Sequence, residues 1–231
     1  MAIRQTPGDG KCKPFVRGEG RSHTVLKQGG VKKKVFLMDY KKLFARISVI
    51  LTNPEKAWTE IKTEVEEDDA SVQSSFVYPM IALCGTAMFV GMLFGNGVAA
   101  INLQLVLTKC CGLFVSLFGG FFLSSYLLAK YGHRFSGTPQ SDATKCQQLV
   151  GYSMCVIFVL SFFSGLFPSF FILRWILQFY LVYIVWEGTK VLMEVAESHR
   201  LSYTIVASAI ILIAPVVLSK LFAWMSNLVN G

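Results

Sequence analysis

Three histidines (His23, His133 and His199), six cysteines and one loop, "GHRFSGTPQSD", hold the residue types from which catalytic and metal sites are built. Their spacing argues against both. No two histidines lie four apart, so the two-ligand helix face of an HExxH zinc site is absent. Ser, His and Asp within one short loop do not make a triad, which needs a defined mutual geometry of nucleophile, base and orienting acid. GxSxG, Walker A and GxGxxG patterns are missing. The cysteines, Cys12, Cys84, Cys110, Cys111, Cys146 and Cys155, show no CxxC pairing and fall mostly in apolar runs, where Cys behaves as a small hydrophobe. The acidic run "EVEEDDA" at 64–70 reads as a solvated helix end rather than a cation site. No catalytic residue, metal or cofactor is expected, and the chain is not read as an enzyme.

What must position any function is therefore a set of apolar helices. Of 231 residues, 53% are hydrophobic and 16% charged, and mean hydropathy is +0.52. The charge is uneven: 14 of the 22 Lys+Arg and 10 of the 14 Asp+Glu precede residue 76. The net charge of +8 falls beside apolar spans, where it marks cytoplasmic loops and anionic lipid rather than nucleic acid. Residues 1–30 contain no apolar core of a signal peptide.

Five segments are long and apolar enough to cross a bilayer: about Phe76 to Gly95, Leu105 to Ala129, Leu149 to Phe167, Phe170 to Trp186, and Tyr203 to Trp224. The expected fold is all-α: a polytopic membrane protein whose five-helix transmembrane bundle (71–231) follows two short amphipathic cytoplasmic helices (38–70). Lys130, Arg134 and Lys145 occupy one loop, and Lys190 and Arg200 another, while 96–104 and the turn at Pro168 carry no basic residue. The positive-inside rule then places the N-terminus in the cytoplasm and the C-terminus outside. Lys109, Arg174, Glu187 and Lys220 lie near span ends, where long side chains snorkel; the alternative is a substrate path on the outer side.

In the second span Thr108, Gly112, Ser116, Gly120 and Ser124 recur every fourth residue and share one face. Such a face lets another helix approach closely in lipid, and the GxxxG pair Gly91 and Gly95 in the first span is expected to meet it. A permeation path along the same groove is the competing reading.

Before the spans, Leu43, Ile47, Ile50 and Leu51 form an apolar stripe opposite Lys41, Lys42 and Arg46. This is the pattern of a basic amphipathic helix on the inner leaflet. Asn53 as N-cap, Pro54 at the first helical position and Glu55 behind it start a second helix. Lys41, Lys42, Arg46 and Trp58 are expected to dock on the membrane surface. Residues 1–37 read as a disordered basic extension, with Met38 the expected start of translation; the alternative is a polybasic tail whose Lys32, Lys33 and Lys34 bind anionic lipid.

"ISVILTNPEKAWTEI", "FVYPMIAL", "LVGYSMCVIFVLSFF" and "FYLVYIVWEGTKV", in this order and spacing, resemble the Yip family of five-span membrane proteins over about Met38 to Trp224. The similarity is closer to the bacterial branch, to Bacteroidetes-like members that begin with "MDYKKLF"-type sequence. The resemblance implies a helical bundle with a cytoplasmic N-terminus. For eukaryotic members it also implies binding of Rab-type GTPases, which does not transfer, because the chain has no long acidic N-terminal domain and only "SSFVYPM" where the family carries a DLYGP-type element. The leading expectation is a non-enzymatic scaffold or adaptor in a bacterial inner membrane. Its partners would be the bilayer and another membrane or cytoplasmic protein, with a homo-oligomer as a further option. The alternative is a small transporter or permease using the Gly/Ser-lined interface.

Overall fold

The computed structural model describes residues 40–67, 71–95, 103–136, 142–167 and 171–230. The extension 1–37, Met38, the end of the acidic run, the bare loop after the first span and the turn at Pro168 lie outside the described residues. Among the described residues every regular element is helical. They belong to the unit Met38–Gly231.

Two helices form an antiparallel hairpin: α1 (Tyr40–Thr52) and α2 (Pro54–Glu67). Between them Asn53 caps α2, its Oδ1 accepting from the Lys56 N–H at 3.2 Å, and Pro54 costs nothing at a position whose N–H has no helical partner. The stripe Leu43, Ile47 and Ile50 is buried.

A π-helical turn, Gln73–Val77, leads into α3 (Tyr78–Gly95). Pro79 gives a physical reason for the wide turn, since it lacks an N–H and its ring crowds the carbonyl four residues back. After α4 (Leu103–Tyr131) and the single turn α5 (His133–Ser136), the chain enters α6 (Ala143–Ser153) and α7 (Cys155–Leu166). These two form one bent rod, because the Met154 N–H still bonds to Val150 O and the Phe158 N–H to Met154 O, each at 2.9 Å. Then come α8 (Phe171–Leu177), α9 (Tyr180–Val191) and α10 (Glu197–Asn230), the last about 51 Å long at 1.5 Å per residue and continuous through Pro215.

Among the described residues four helices are long and apolar enough to cross a membrane: Gln73–Phe94, Leu103–Tyr131, Ala143–Leu166 and Glu197–Leu228. The expected fourth span is not a single helix. Phe179 N bonds back to Ile176 O, Leu181 N to Gln178 O and Val182 N to Phe179 O, all three residues apart, and this tightened turn separates α8 from α9. The fourth expected crossing therefore falls on two short helices, α8 and α9, rather than on one long helix.

The core joins the hairpin to the bundle. Trp58, Ile61 and Ile50 lie in one buried cluster with Phe76, Leu149, Phe158, Ile184 and Tyr203. The longest helix contact runs between α4 and α10, followed by α3 with α7.

Candidate functional site

The hairpin is held by an aromatic plug rather than by lipid. Trp58 is 1% exposed, and its Nε1–H donates to the Ile184 carbonyl at 3.0 Å. Gly188 makes room for it: a Cβ there would stand 2.8 Å from Trp58 Cε2 and 2.5 Å from Leu149 Cδ1. Tyr152 meets Trp58 edge-on at 6.2 Å between centroids and Phe76 at 5.0 Å, so one tyrosine of α6 touches α2 and the π-turn together. Above it sits the Arg46 guanidinium, 5.7 Å from the ring centroid, in a cation–π arrangement. Arg46 also ion-pairs with Glu64 across the hairpin. Burial alone would lower the Arg46 pKa, but the hydrogen bond to Glu64 and the surrounding charges outweigh it and leave it raised.

These contacts correct two expected membrane-docking residues. Trp58 and Arg46 face protein, because the apolar stripes of α1 and α2 find a dry surface on α7 and α9 before they reach lipid. Lys41 and Lys42 are exposed.

A rim of charge closes the hairpin against the α9–α10 loop. Lys62 pairs with Glu194, and Lys190 reaches Glu55 at 3.2 Å and Glu187 at 3.7 Å. Glu194 has φ 51°, the left-handed region that a non-glycine residue seldom adopts unless its surroundings hold it there. The hydrogen bond and charge of Lys62 keep its carboxyl below its ordinary pKa, with Lys145 adding to the same field. A depressed carboxylate contributes its pairing above the ordinary carboxylate range and loses it as pH falls through the folded value. Acidification is therefore expected to loosen residues 192–196, read by hydrogen exchange in detergent, by a small step that Glu194→Gln lacks. An identical acid response in both proteins would overturn this assignment.

The small-residue face of α4 lies against α10. A Cβ on Gly112 would meet Phe222 Cδ1 at 2.9 Å, and one on Gly120 would meet Pro215 Cγ at 2.6 Å. Ser116 Oγ donates to the Pro215 carbonyl at 2.7 Å and Ser124 Oγ to the Ile210 carbonyl at 3.4 Å. Thr108 instead returns its hydroxyl to Gln104 O at 2.8 Å, within α4. Gly91 does not meet this face, as the GxxxG reading expected. A Cβ on Gly91 would fall on the Gly165 carbonyl oxygen, and one on Gly165 would lie 2.9 Å from Met88 N, so α3 crosses α7 backbone to backbone. Gly95 ends α3, and its surroundings lie outside the described side chains.

Tyr152, Gly165 and Gly188 were not singled out by sequence. Gly165 in "SFFSGLF" and Gly188 in "WEGTK" have no glycine three or four residues away to mark a packing face. Among the described residues no group of three His, Cys, Asp or Glu side chains comes together to hold a metal ion.

The polar ends of several elements converge around the hairpin. Gln73 Nε2 bonds Gln147 Oε1 at 3.2 Å, and the Lys190 and Glu194 pairs lie at the ends of α9 and the loop after it. Long apolar helices, clasped by a two-helix hairpin with a charged rim, make a membrane protein that crosses the bilayer several times. No curated protein and no solved structure matches the chain. A family model, the Yip1 domain, matches residues 47–219, from the middle of α1 into the second half of α10. With hairpin, long apolar helices and that match over most of its length, the chain belongs to the Yip1 domain family of multi-pass membrane proteins.

Proposed function

We propose that this Yip-family protein is a non-enzymatic scaffold or adaptor of a bacterial inner membrane, presenting α2 to a partner on the cytoplasmic side. The observation that carries this reading is the contrast between the two sides of α2. Ala57, Trp58 and Ile61 are buried in the protein, whereas Glu55, Lys56, Thr59, Glu60, Thr63 and Glu64 form an exposed row of both charge signs. A polar row on a firmly anchored helix loses little entropy on binding, which favours recognition. Family membership alone would not identify the partner.

The orientation is part of the proposal. Lys190 and the Lys62–Glu194 pair lie against the hairpin, and Lys130, Arg134, Lys145 and Arg200 stand near the ends of α4, α5, α6 and α10, as the positive-inside rule requires of a cytoplasmic face. The path from Gly165, beside Gly91 near the far end of α3, to Lys190, beside Glu55, supports reading α8 and α9 as a broken fifth crossing. That crossing puts the C-terminus outside.

The alternative of a small transporter rests on a separate observation. Ser125 Oγ, Gln148 Oε1, Ser153 Oγ and Ser208 Oγ are buried without a hydrogen-bond partner, and orphaned polar atoms inside a bundle suit a passing polar solute.

A photoreactive residue in place of Thr59, activated in whole cells, separates the readings. The adaptor predicts one protein adduct of defined mass that Glu60→Lys abolishes, together with labelling of a cysteine in place of Gly231 by an impermeant reagent from outside. Self-adducts alone, with solute uptake that Ser208→Ala or Ser125→Ala changes, would favour the transporter. Labelling at Gly231 only after the membrane is opened would overturn the five-crossing topology.

A further inference from the structure

The apolar face of α1 is wider than the part the bundle covers. Leu43, Ile47 and Ile50 point into the core, yet Tyr40 and Phe44, one turn apart, are 54% and 55% exposed. Lys41 lies beside Phe44 on the helix surface, Lys42 lines the cleft with Ala57, Glu60 and Ile61 of α2, and α1 contains no acidic residue. Over residues 32–46 the chain carries six basic residues and one acid, Asp39.

The position of α1 selects what covers this face. It packs against α7, part of the Ala143–Leu166 helix that is long and apolar enough to cross the bilayer, and its last turn accepts a hydrogen bond from Tyr180 at Leu51 O, 2.9 Å away. Arg46 also reaches Tyr152 at the end of α6, so the helix flanks a membrane rod near the start of its apolar run, where hydrocarbon gives way to headgroups. Aromatic rings with lysines beside them are the composition found at that depth.

We infer that α1 is seated in the headgroup layer of the inner leaflet, with Tyr40 and Phe44 sunk to the acyl boundary and Lys41 on the phosphates of anionic phospholipid. This rests on the reading of the hairpin as cytoplasmic. It moves membrane contact from the buried centre of the apolar stripe to its neighbouring edge on the same helix. It also leaves the outer row of α2 as the part of the hairpin open to a protein partner.

The test uses the full chain in vesicles of phosphatidylcholine with phosphatidylglycerol and in vesicles of phosphatidylcholine alone. p-Benzoylphenylalanine replaces Tyr40, Phe44, Ile47 or Thr59 in turn, and adducts are identified by mass spectrometry. Phospholipid adducts are expected at positions 40 and 44, with adducts inside the chain at 47. Yield at 44 should rise with phosphatidylglycerol and fall severalfold in Lys41→Glu, an exposed change that leaves the core intact. Adducts from 44 to a second copy of the chain, or no lipid adduct in either vesicle, would overturn the inference. Equal yields in both vesicles would overturn its anionic part. The cellular Thr59 adduct reports on the adaptor reading independently, so losing the lipid contact while keeping that adduct rejects this inference alone.

Discussion

Gly91→Leu is expected to separate α3 from α7 and to destabilise the bundle at or above the upper end of the overpacking range, roughly 3 kcal/mol. Two backbones touch at this crossing. A Cβ on Gly91 would meet the Gly165 carbonyl oxygen, and the reciprocal Cβ on Gly165 would meet Met88 N and Cα at 2.9 and 3.0 Å. Backbone atoms cannot rotate aside as a side chain can, so the helices must part. In lipid no hydrophobic force draws them together again, because acyl chains replace the lost contacts at little cost. Gly119 gives the control. A Cβ there meets only Leu218 Cδ1, the far end of a flexible side chain, at 2.7 Å. Thermal unfolding in mild detergent should therefore show a large fall in Tm for Gly91→Ala and a small one for Gly119→Ala. Comparable falls would mean that the crossing is looser than its geometry.

The same comparison shows what sequence could and could not reveal. The cap at Asn53 was legible because Asn, Pro and Glu act within one turn of themselves. The stripe Leu43, Ile47 and Ile50 was legible as apolar, but its destination was not: periodicity asks only for apolar surroundings, and a protein core supplies them as well as a bilayer. That ambiguity sent Trp58 to lipid when Ile184 and Tyr152 were waiting for it. The small face of α4 was visible for its regular spacing. Its pairing with α10 rather than Gly91 depends on side chains about a hundred residues away, Pro215 and Phe222, which no local pattern encodes. The break at Gln178 and Phe179 was hidden for another reason. Hydropathy summed over a span ignores a turn made without Gly or Pro, and "WILQFYL" contains neither.

Trp58→Ala is expected to free the hairpin while the long helices remain inserted. The indole fills the space over Gly188 and meets Tyr152, and large-to-small changes of buried Trp cost about 3–5 kcal/mol. Two costs add here: the cavity itself and the loss of the Nε1–H that the Ile184 carbonyl accepts. Trp58→Phe separates them, since it keeps an aromatic ring and removes the N–H, at a net cost of about 1 kcal/mol for the hydrogen bond. The exposed pairs Lys190–Glu55 and Lys62–Glu194 are too weak to hold the hairpin alone, as solvent screens surface ion pairs. Limited proteolysis in vesicles should therefore cut within residues 40–67 fastest in Trp58→Ala, at an intermediate rate in Trp58→Phe and slowest in the native chain. The fragment from the π-turn onward should stay intact in all three. If Trp58→Ala left the hairpin as protected as before, the plug would not be its anchor. A freed hairpin has a functional consequence under the adaptor reading. The exposed row of α2 recognises its partner only while held in place, so the adduct from position 59 should disappear in Trp58→Ala and survive in Trp58→Phe.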